Sequence, residues 1–497
     1  MADGNFVPPL KVAIIGSGFG GLGMGVSLKK ARIENFAIFE KADDVGGTWR
    51  ENTYPGCGCD VPSHFYSFSF ERDYPWQWRY AKQPEIYAYA RHVAEKYGLR
   101  PHLRLGMTLQ SARFDEARAL WQLQFANGEQ VEAETLISAV GQLHQPAYPN
   151  IPGRESFGGV AMHSAHWNHD FDLTGKTVAV IGTGASAVQF VPEIAPKVKQ
   201  MHVFQRSPGW TFPKVDSQFS KVQQWLIDHI PGVRDLDRLR IFGITELLAA
   251  AYNGNAVLEK LVTAGAKLQA KRQVKDPALR AKLTPDFAIG CKRILLTSAW
   301  LPALTRANVE VVDDGISEIT ATGVRTADGT LREVDAILYG TGFKATQFLT
   351  PMTVIGAGGV ELHSTWTHGA DAYYGMAVAG FPNFFMLYGP NTNVGSGSII
   401  FMLERQQRYI TQLLQARARN DWATLEVKAE VQKAYADEMQ RRSQGTTYSS
   451  NCQSWYKTAE GRNTNNWVGS QMEFARRLKK PDLADYVYVR RPAAVAA

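Results

Sequence analysis

Two glycine clusters carry the strongest chemical signal in this 497-residue chain. The first is Gly16-Ser-Gly18-Phe-Gly20-Gly21, the second Gly182-Thr-Gly184-Ala-Ser186-Ala187. In each, the first glycine permits a tight turn and the second lets the backbone approach a pyrophosphate. The small residue that follows, Gly21 or Ala187, lets a helix lie close to the preceding strand. A helix starting there offers free N–H groups and partial positive charge to phosphate oxygens. Glycine spacing alone is weak, but the next elements sharpen it. Glu40 stands 24 residues after Gly16, and Arg206 stands 24 residues after Gly182. A carboxylate there accepts ribose hydroxyls and repels a 2′-phosphate, whereas a guanidinium pairs with that phosphate. The reading is a non-phosphorylated ribose (FAD or NAD) at the first turn and NADP at the second.

Two other clusters could do chemistry. His163, His166 and His169 recur every third residue, with Asp170 and Asp172 beyond, which invites a metal reading. No thiol accompanies them, and no metal is expected. Cys57-Gly-Cys59 has one intervening residue where redox pairs have two or more, so two packed thiols are expected. The four cysteines are too few for a disulfide framework or a cluster site, and reduced thiols are expected.

The elements needed to position these residues are legible. Val-Ala-Ile-Ile before Gly16 reads as a buried strand, followed by a helix to about Ala31 and a strand over Phe36 to Glu40. Thr177 to Arg206 repeats the plan, so the chain holds two βαβ-type units. The apolar run Leu136 to Gly141 and the proline-rich stretch Gln145 to Gly153 mark a first crossing between domains. The matching run Ala336 to Gly342 marks the return. The fold class expected is α/β, with two Rossmann-like dinucleotide-binding domains and a helical insertion in the second. The expected division is 1–145 for the first part of the FAD domain and 146–335 for the NADP domain, with its insertion at about 217–285. Residues 336–497 complete the first domain and add a C-terminal segment. A helix is expected over Glu426 to Arg441, another over Ser398 to Leu414, and a peripheral tail after Pro481.

Composition is that of an ordinary globular protein, 45% hydrophobic and 20% charged. The net charge of +7 is scattered rather than gathered into an arm, so no nucleic-acid partner is expected. The N-terminus has no basic leader or apolar run, and Ile241 to Tyr252 is too short to span a bilayer. A soluble, cytoplasmic protein with no membrane span and no obligatory protein partner is expected.

The stretch Gly46 to Asp60, Gly-Gly-Thr-Trp-Arg-Glu-Asn-Thr-Tyr-Pro-Gly-Cys-Gly-Cys-Asp, resembles a motif of type I Baeyer–Villiger monooxygenases, in the flavin-containing monooxygenase superfamily. Phe157-Gly-Gly159-Val-Ala-Met-His163-Ser-Ala-His-Trp167 is similar to their fingerprint, with Asn168 where the family has Pro or Asp. The resemblance covers nearly the whole chain and both glycine turns. It implies FAD, NADPH as reductant and O2 as co-substrate, with ketones converted to esters or lactones through a peroxyflavin and sulfoxidation as an accompanying activity. A nitrogen- or sulfur-oxidising flavin-containing monooxygenase is the alternative, and an electron-transfer flavoprotein reductase a more distant one.

Residue roles follow from the same resemblance. Arg293 is the catalytic cation, and a fixed charge in a dry pocket suits a peroxide anion and an anionic adduct. Asp60 pairs with Arg293 and orients it; taken alone, it could equally cap a turn. Lys292 joins Arg206 at the 2′-phosphate. Gly47, Trp49, Tyr66 and Asn391 join Gly16, Gly18, Gly21, Glu40 and Asp60 around FAD, while Gly182, Gly184, Ser186 and Ala187 hold NADP. His163 and Trp167 couple the domains. Trp455, in Asn451-Cys-Gln-Ser-Trp455-Tyr456, lines the substrate pocket or serves as a core aromatic.

Overall fold

The computed structural model describes residues 8–450 and 454–491. Two five-stranded sheets form its frame, both wholly parallel. The first runs, in spatial order, Phe384–Met386, Leu136–Ser138, Val12–Ile15, Phe36–Phe39 and Leu103–Arg104. The second runs Val160–His163, Ala336–Tyr339, Thr177–Ile181, Gln200–Phe204 and Val309–Val312. Strands covered on both faces become continuous apolar runs. Val12–Ile15 and Phe36–Phe39 are buried at every position.

The same local packing recurs in both sheets. Gly16 has φ 100° and Gly182 has φ 100°, the left-handed region that favours glycine. A Cβ on Gly16 would lie 2.7 Å from the Ala139 carbonyl oxygen, and one on Gly182 would lie 2.6 Å from that of Gly340. The runs Leu136 to Gly141 and Ala336 to Gly342 therefore play equivalent parts, each pressing its strand end against a glycine turn. Helices Phe19–Lys30 and Ala187–Ile194 leave the two turns.

The two crossings between sheets lie side by side. Pro146 pairs with Phe343, Ala147 N–H donates to Gly342 O at 2.9 Å, and Lys344 N–H donates to Gln145 O at 2.9 Å. A proline at the edge of so narrow a ribbon forfeits no ladder bond.

Between Gln200–Phe204 and Val309–Val312 the chain forms helices Lys221–His229, Val233–Tyr252, Ala256–Gln273 and Pro277–Lys282. Their starts are written locally. Ser220 and Gln223 form a capping box, Asn255 accepts from Leu258 N–H, and Asp276 caps a helix opened by Pro277. This segment interrupts the second unit in sequence and packs on both units, with Val274 and Leu283 in the core of the second. Ile241 joins the core around Val12, Phe65 and Leu403, and Arg238 donates to the His64 carbonyl at 2.7 Å.

Three expectations change. The C-terminal helix runs Ala429–Ser443, and Glu426 belongs instead to the strand Trp422–Val427. That strand pairs antiparallel with Tyr486–Arg490, Trp422 stacks on Tyr488 at 4.0 Å, and Arg491 reaches Glu134 at 2.6 Å. The tail after Pro481 is thus tied to the first unit through a two-stranded ribbon, the buried Tyr486 and the Arg491–Glu134 pair. Cys57 and Cys59 are free and buried, but Cys291 is disulfide-bonded, so reduced thiols are not general. Among the described residues no helix is long and apolar enough to cross a membrane.

Glycines in the two contexts should respond oppositely. A Cβ on Gly21 would meet the Gly16 carbonyl oxygen at 1.9 Å, whereas Gly243, inside Val233–Tyr252, has nothing within 4 Å. Gly21→Ala is expected to destabilise by at least about 2 kcal/mol. Gly243→Ala should stabilise by about 1 kcal/mol. Urea midpoints read both, and a tolerated Gly21→Ala would contradict the close approach.

Candidate active site

The first cleft opens where Val12–Ile15 ends. Helix Phe19–Lys30 begins at Gly18, whose Cβ would be in ordinary contact with Gly47 at 3.7 Å. Glu40 is buried, and its carboxylate accepts from Ser17 N–H at 2.8 Å, Ser17 Oγ at 2.9 Å and Ala42 N–H at 3.0 Å. Those donors hold it beside the glycine turn, with lone-pair capacity left for a hydroxyl. Trp49 donates its indole N–H to Tyr66 Oη at 3.0 Å, and Tyr66 stands 5.6 Å from Phe19. Trp49 also packs against the apolar cores of both sheets.

A second long helix, Ile399–Arg419, passes the same turn at its middle. It packs on Phe19–Lys30, and Gln407 donates to the Gly20 carbonyl at 3.1 Å. Ser398, at its N-cap, is buried and its Oγ has no hydrogen-bond partner. Gln142 donates to the Tyr388 carbonyl, while its buried Oε1 is also unpartnered. Buried polar atoms are normally satisfied, so these orphans beside a glycine cradle fit a bound polar ligand such as a flavin nucleotide. Asn391 has φ 55°, and its amide donates to the Asn463 and Asn466 carbonyls at 3.0 and 3.1 Å. Its side-chain donors therefore anchor the C-terminal segment.

The second cleft carries cations. Arg206 is exposed and makes no ion pair with any described residue. Lys292 donates to Ser207 Oγ at 2.6 Å, and its pKa is lowered by burial and then by the charge of Arg206. Two like charges held near each other, with only a smaller opposing pull from the Asp286 carboxylate, suit an anionic ligand. Gly184, Ser186 and Ala187 form the turn at the start of Ala187–Ile194.

Between the clefts lies the central ion pair. Arg293 Nε and Nη2 donate to Asp60 Oδ2 and Oδ1 at 3.1 and 2.7 Å, across 233 residues of sequence. This bidentate geometry resolves the even choice for Asp60 in favour of pairing rather than turn capping. The charge of Asp60 holds the guanidinium pKa above its ordinary value, against desolvation. Three tyrosines stand near it. Tyr252, Tyr388 and Tyr456 are drawn from distant segments, and Tyr448 packs behind them on Tyr252 and Tyr456; Tyr388 is pushed up to about 12 by burial, and the buried Tyr456 hydroxyl has no partner. Trp455 packs at 4.5 Å from Tyr456, while Asn451, Cys452 and Gln453 of the same motif lie outside the described residues. Tyr252, which ends helix Val233–Tyr252, and Tyr448, in the turn Thr447–Ser449, carry no sequence pattern that sets them apart from core aromatics.

The two units interlock just behind this pair. Gln189 Nε2 donates to the Gly58 carbonyl at 2.9 Å, and Tyr54 Oη donates to Gln189 Oε1 at 2.9 Å. A Cβ on Gly56 would lie 2.5 Å from the Gln189 carbonyl oxygen. Burial pushes the Cys57 and Cys59 thiols up to about 12 each. Both stay protonated at neutral pH and are poor nucleophiles, unlike the thiols of a disulfide reductase.

His163 ends the edge strand Val160–His163, fully buried, between Tyr148 at 5.3 Å and Phe343 at 5.7 Å. It thus touches both crossing strands. Trp167 packs on Phe190 at 5.3 Å. His169 bonds Thr53 Oγ1 at 2.8 Å, and among the described residues no three His, Cys, Asp or Glu side chains are grouped to hold a metal.

Comparison with known proteins agrees with this geometry. Residues 13–243 match a family described as pyridine nucleotide-disulphide oxidoreductase. A Baeyer–Villiger monooxygenase of Streptomyces coelicolor is 44% identical over 98% of this chain and 94% of its own. One from Pseudomonas aeruginosa is 43% identical over 97% and 92%. Among solved structures, cyclohexanone monooxygenase from Rhodococcus sp. Phi1 bound to NADP+ superposes with a TM-score of 0.87 at 27% identity, covering 97% of this chain and 100% of the other. OTEMO in complex with FAD and NADP gives 0.87 at 28% identity with the same coverage.

The state of His163 sets a pH dependence. Burial pushes its pKa from 6.5 down to about 4, against a smaller opposing pull from the Gly342 backbone. Above about pH 6.5 the ring is neutral in both folded and unfolded chains. As pH falls from 6.5 to 4 only the unfolded chain takes up the proton, so stability is lost across that window, by about 3 kcal/mol. Denaturant unfolding from pH 7 to 4 should show His163→Asn with a shallower slope than wild type. Parallel slopes would mean that His163 is not buried neutral.

Proposed function

The chain belongs to the Baeyer–Villiger monooxygenase family, and we propose on this membership that it inserts one oxygen atom of O2 into a ketone, giving an ester or lactone. It is an NADPH-dependent flavoprotein monooxygenase. FAD, reduced by NADPH, supplies the activation of O2. The protein's part is binding, orientation and electrostatics.

Gly16, Gly18 and Gly21 form the cradle for the FAD pyrophosphate, Glu40 takes the ribose hydroxyls, and Gly47, Trp49, Tyr66 and the Asn391 turn enclose the ring. Gly182, Gly184, Ser186 and Ala187 receive the NADP pyrophosphate, with Arg206 and Lys292 at its 2′-phosphate. The mutual strain between those two cations supports that assignment, because a dianion relieves it. His163 and Trp167 transmit movement between the units, and Trp455 walls the substrate pocket. The domains divide near 145 and 335, where the paired crossings run. NADPH as reductant also supports a cytoplasmic location; no nucleic acid or obligatory protein partner enters this reading.

The observation that carries the reading is the bidentate Arg293–Asp60 pair. Attack on a ketone carbonyl places negative charge on its oxygen. A guanidinium held rigid before reaction stabilises that charge without reorganisation, which is how preorganised donors lower barriers. Asp60 sets its orientation and guarantees its charge at every working pH. This nucleophilic chemistry separates the proposal from simple heteroatom oxidation.

Arg293→Ala should bind FAD and be reduced by NADPH as wild type, yet lose ketone oxygenation by at least about a hundredfold. Product analysis with a ketone and a thioether reads this. Undiminished ester formation would reject the role, and thioether oxidation with no ketone turnover in the wild type would favour the heteroatom-oxidising alternative. Separately, Arg206→Ala should raise the KM for NADPH roughly tenfold or more while leaving that for NADH unchanged. Equal effects on the two coenzymes would remove Arg206 from the 2′-phosphate.

A further inference from the structure

Most of the exposed large apolar side chains among the described residues fall in one segment, between Val215 and Leu268. Helix Val233–Tyr252 presents Leu236, Leu239 and Leu247 to solvent, and helix Ala256–Gln273 presents Val257, Leu261 and Leu268. Their exposures run from 47% for Leu268 to 69% for Val257. Trp225, on helix Lys221–His229, is 53% exposed. Soluble monomers rarely leave so many large apolar groups together in water, and such patches mark interaction surfaces. The helices are not loosely attached, since their inner side is buried through Ile241, Ala249 and Ala266.

The charges around this face decide what fits it. Helix Ala256–Gln273 carries Lys260, Lys267, Lys271 and Arg272 against a single acid, Glu259. At 100° per residue, Val257, Leu261 and Leu268 form one stripe; the lysines border it on one side, Arg272 on the other, and Glu259 lies opposite. All four cations are exposed, and none has an ion pair or hydrogen bond with a described residue. On the neighbouring helices Asp235 pairs with Arg72 at 2.6 Å, Asp237 with Arg240 at 3.2 Å and Asp228 with Arg234 at 3.3 Å, while Glu246 accepts from the Gln471 N–H at 2.8 Å. The stripe is apolar and edged by free positive charge. A second copy would set lysine rows against lysine rows in a self-complementary contact, which like charges oppose.

We propose that this helical segment docks the protein on the surface of a bilayer rich in anionic phospholipid. Val257, Leu261, Leu268 and their neighbours enter the boundary between headgroups and acyl chains, while the lysine stems extend to the phosphates. The attachment is peripheral and salt-sensitive, and it is independent of the oxygenation chemistry.

Flotation of the full-length protein with vesicles tests it. Wild type should bind phosphatidylcholine vesicles containing phosphatidylglycerol, bind phosphatidylcholine alone far less, and be released by high salt. Lys267→Gln and Lys271→Gln should each weaken binding about fivefold, and Leu261→Gln/Leu268→Gln should abolish it. Circular dichroism and turnover of a water-soluble substrate, both unchanged, establish that the variants are folded. Absence of binding to anionic vesicles, equal binding to both vesicle types, or variants that bind as wild type would overturn the proposal. So would a dimer in sedimentation velocity that Leu261→Gln/Leu268→Gln dissociates, which would assign the face to a second copy.

Discussion

The ion pair between Arg293 and Asp60 organises this protein. A guanidinium with most of its surface removed from water is costly unless a carboxylate answers it with good geometry. The two partners sit on opposite units: Asp60 follows the loop that packs on the first glycine turn, and Arg293 ends the segment that returns from the helical insertion. Satisfying one pair therefore brings both nucleotide clefts to a common point. Lys292, the next residue back, reaches Ser207 at the end of the second unit. One dipeptide thus addresses both clefts.

The contacts around the pair keep it in register. Gln189 ties the helix of the second unit to the Gly56–Gly58 loop of the first, and a side chain on Gly56 would force them apart. The helical insertion leans back across the boundary to pack on Phe65 and Phe401. Tyr252, Tyr388 and Tyr456 border the guanidinium with aromatic bulk, and Tyr448 backs them. Two crossing segments run side by side between the sheets, with His163 packed at their base, which suits a hinge.

Much of the frame could be read in advance because its causes are local. Glycine turns, buried apolar quartets and the 24-residue spacing to Glu40 and Arg206 are imposed by backbone sterics and by the size of a dinucleotide. Helices over the insertion follow from caps and composition. What escaped reading depended on partners far away. The Trp422–Val427 strand and its mate Tyr486–Arg490 are short segments whose pairing has no signal in either alone. Glu426 looked helical because only a distant strand makes it extended.

The amino-acid sequence by itself determined two nucleotide-type units, their order, and the opposite charge at their paired strand ends, since each depends on residues within about thirty positions. Tertiary structure alone decided that Asp60 meets Arg293, that Tyr252, Tyr388 and Tyr456 gather there, and that the insertion bridges both units. The physical reason is range. Sterics and capping act between neighbours, whereas ion pairing and apolar burial join whatever the fold brings together, and chain separation leaves no trace of that in the sequence.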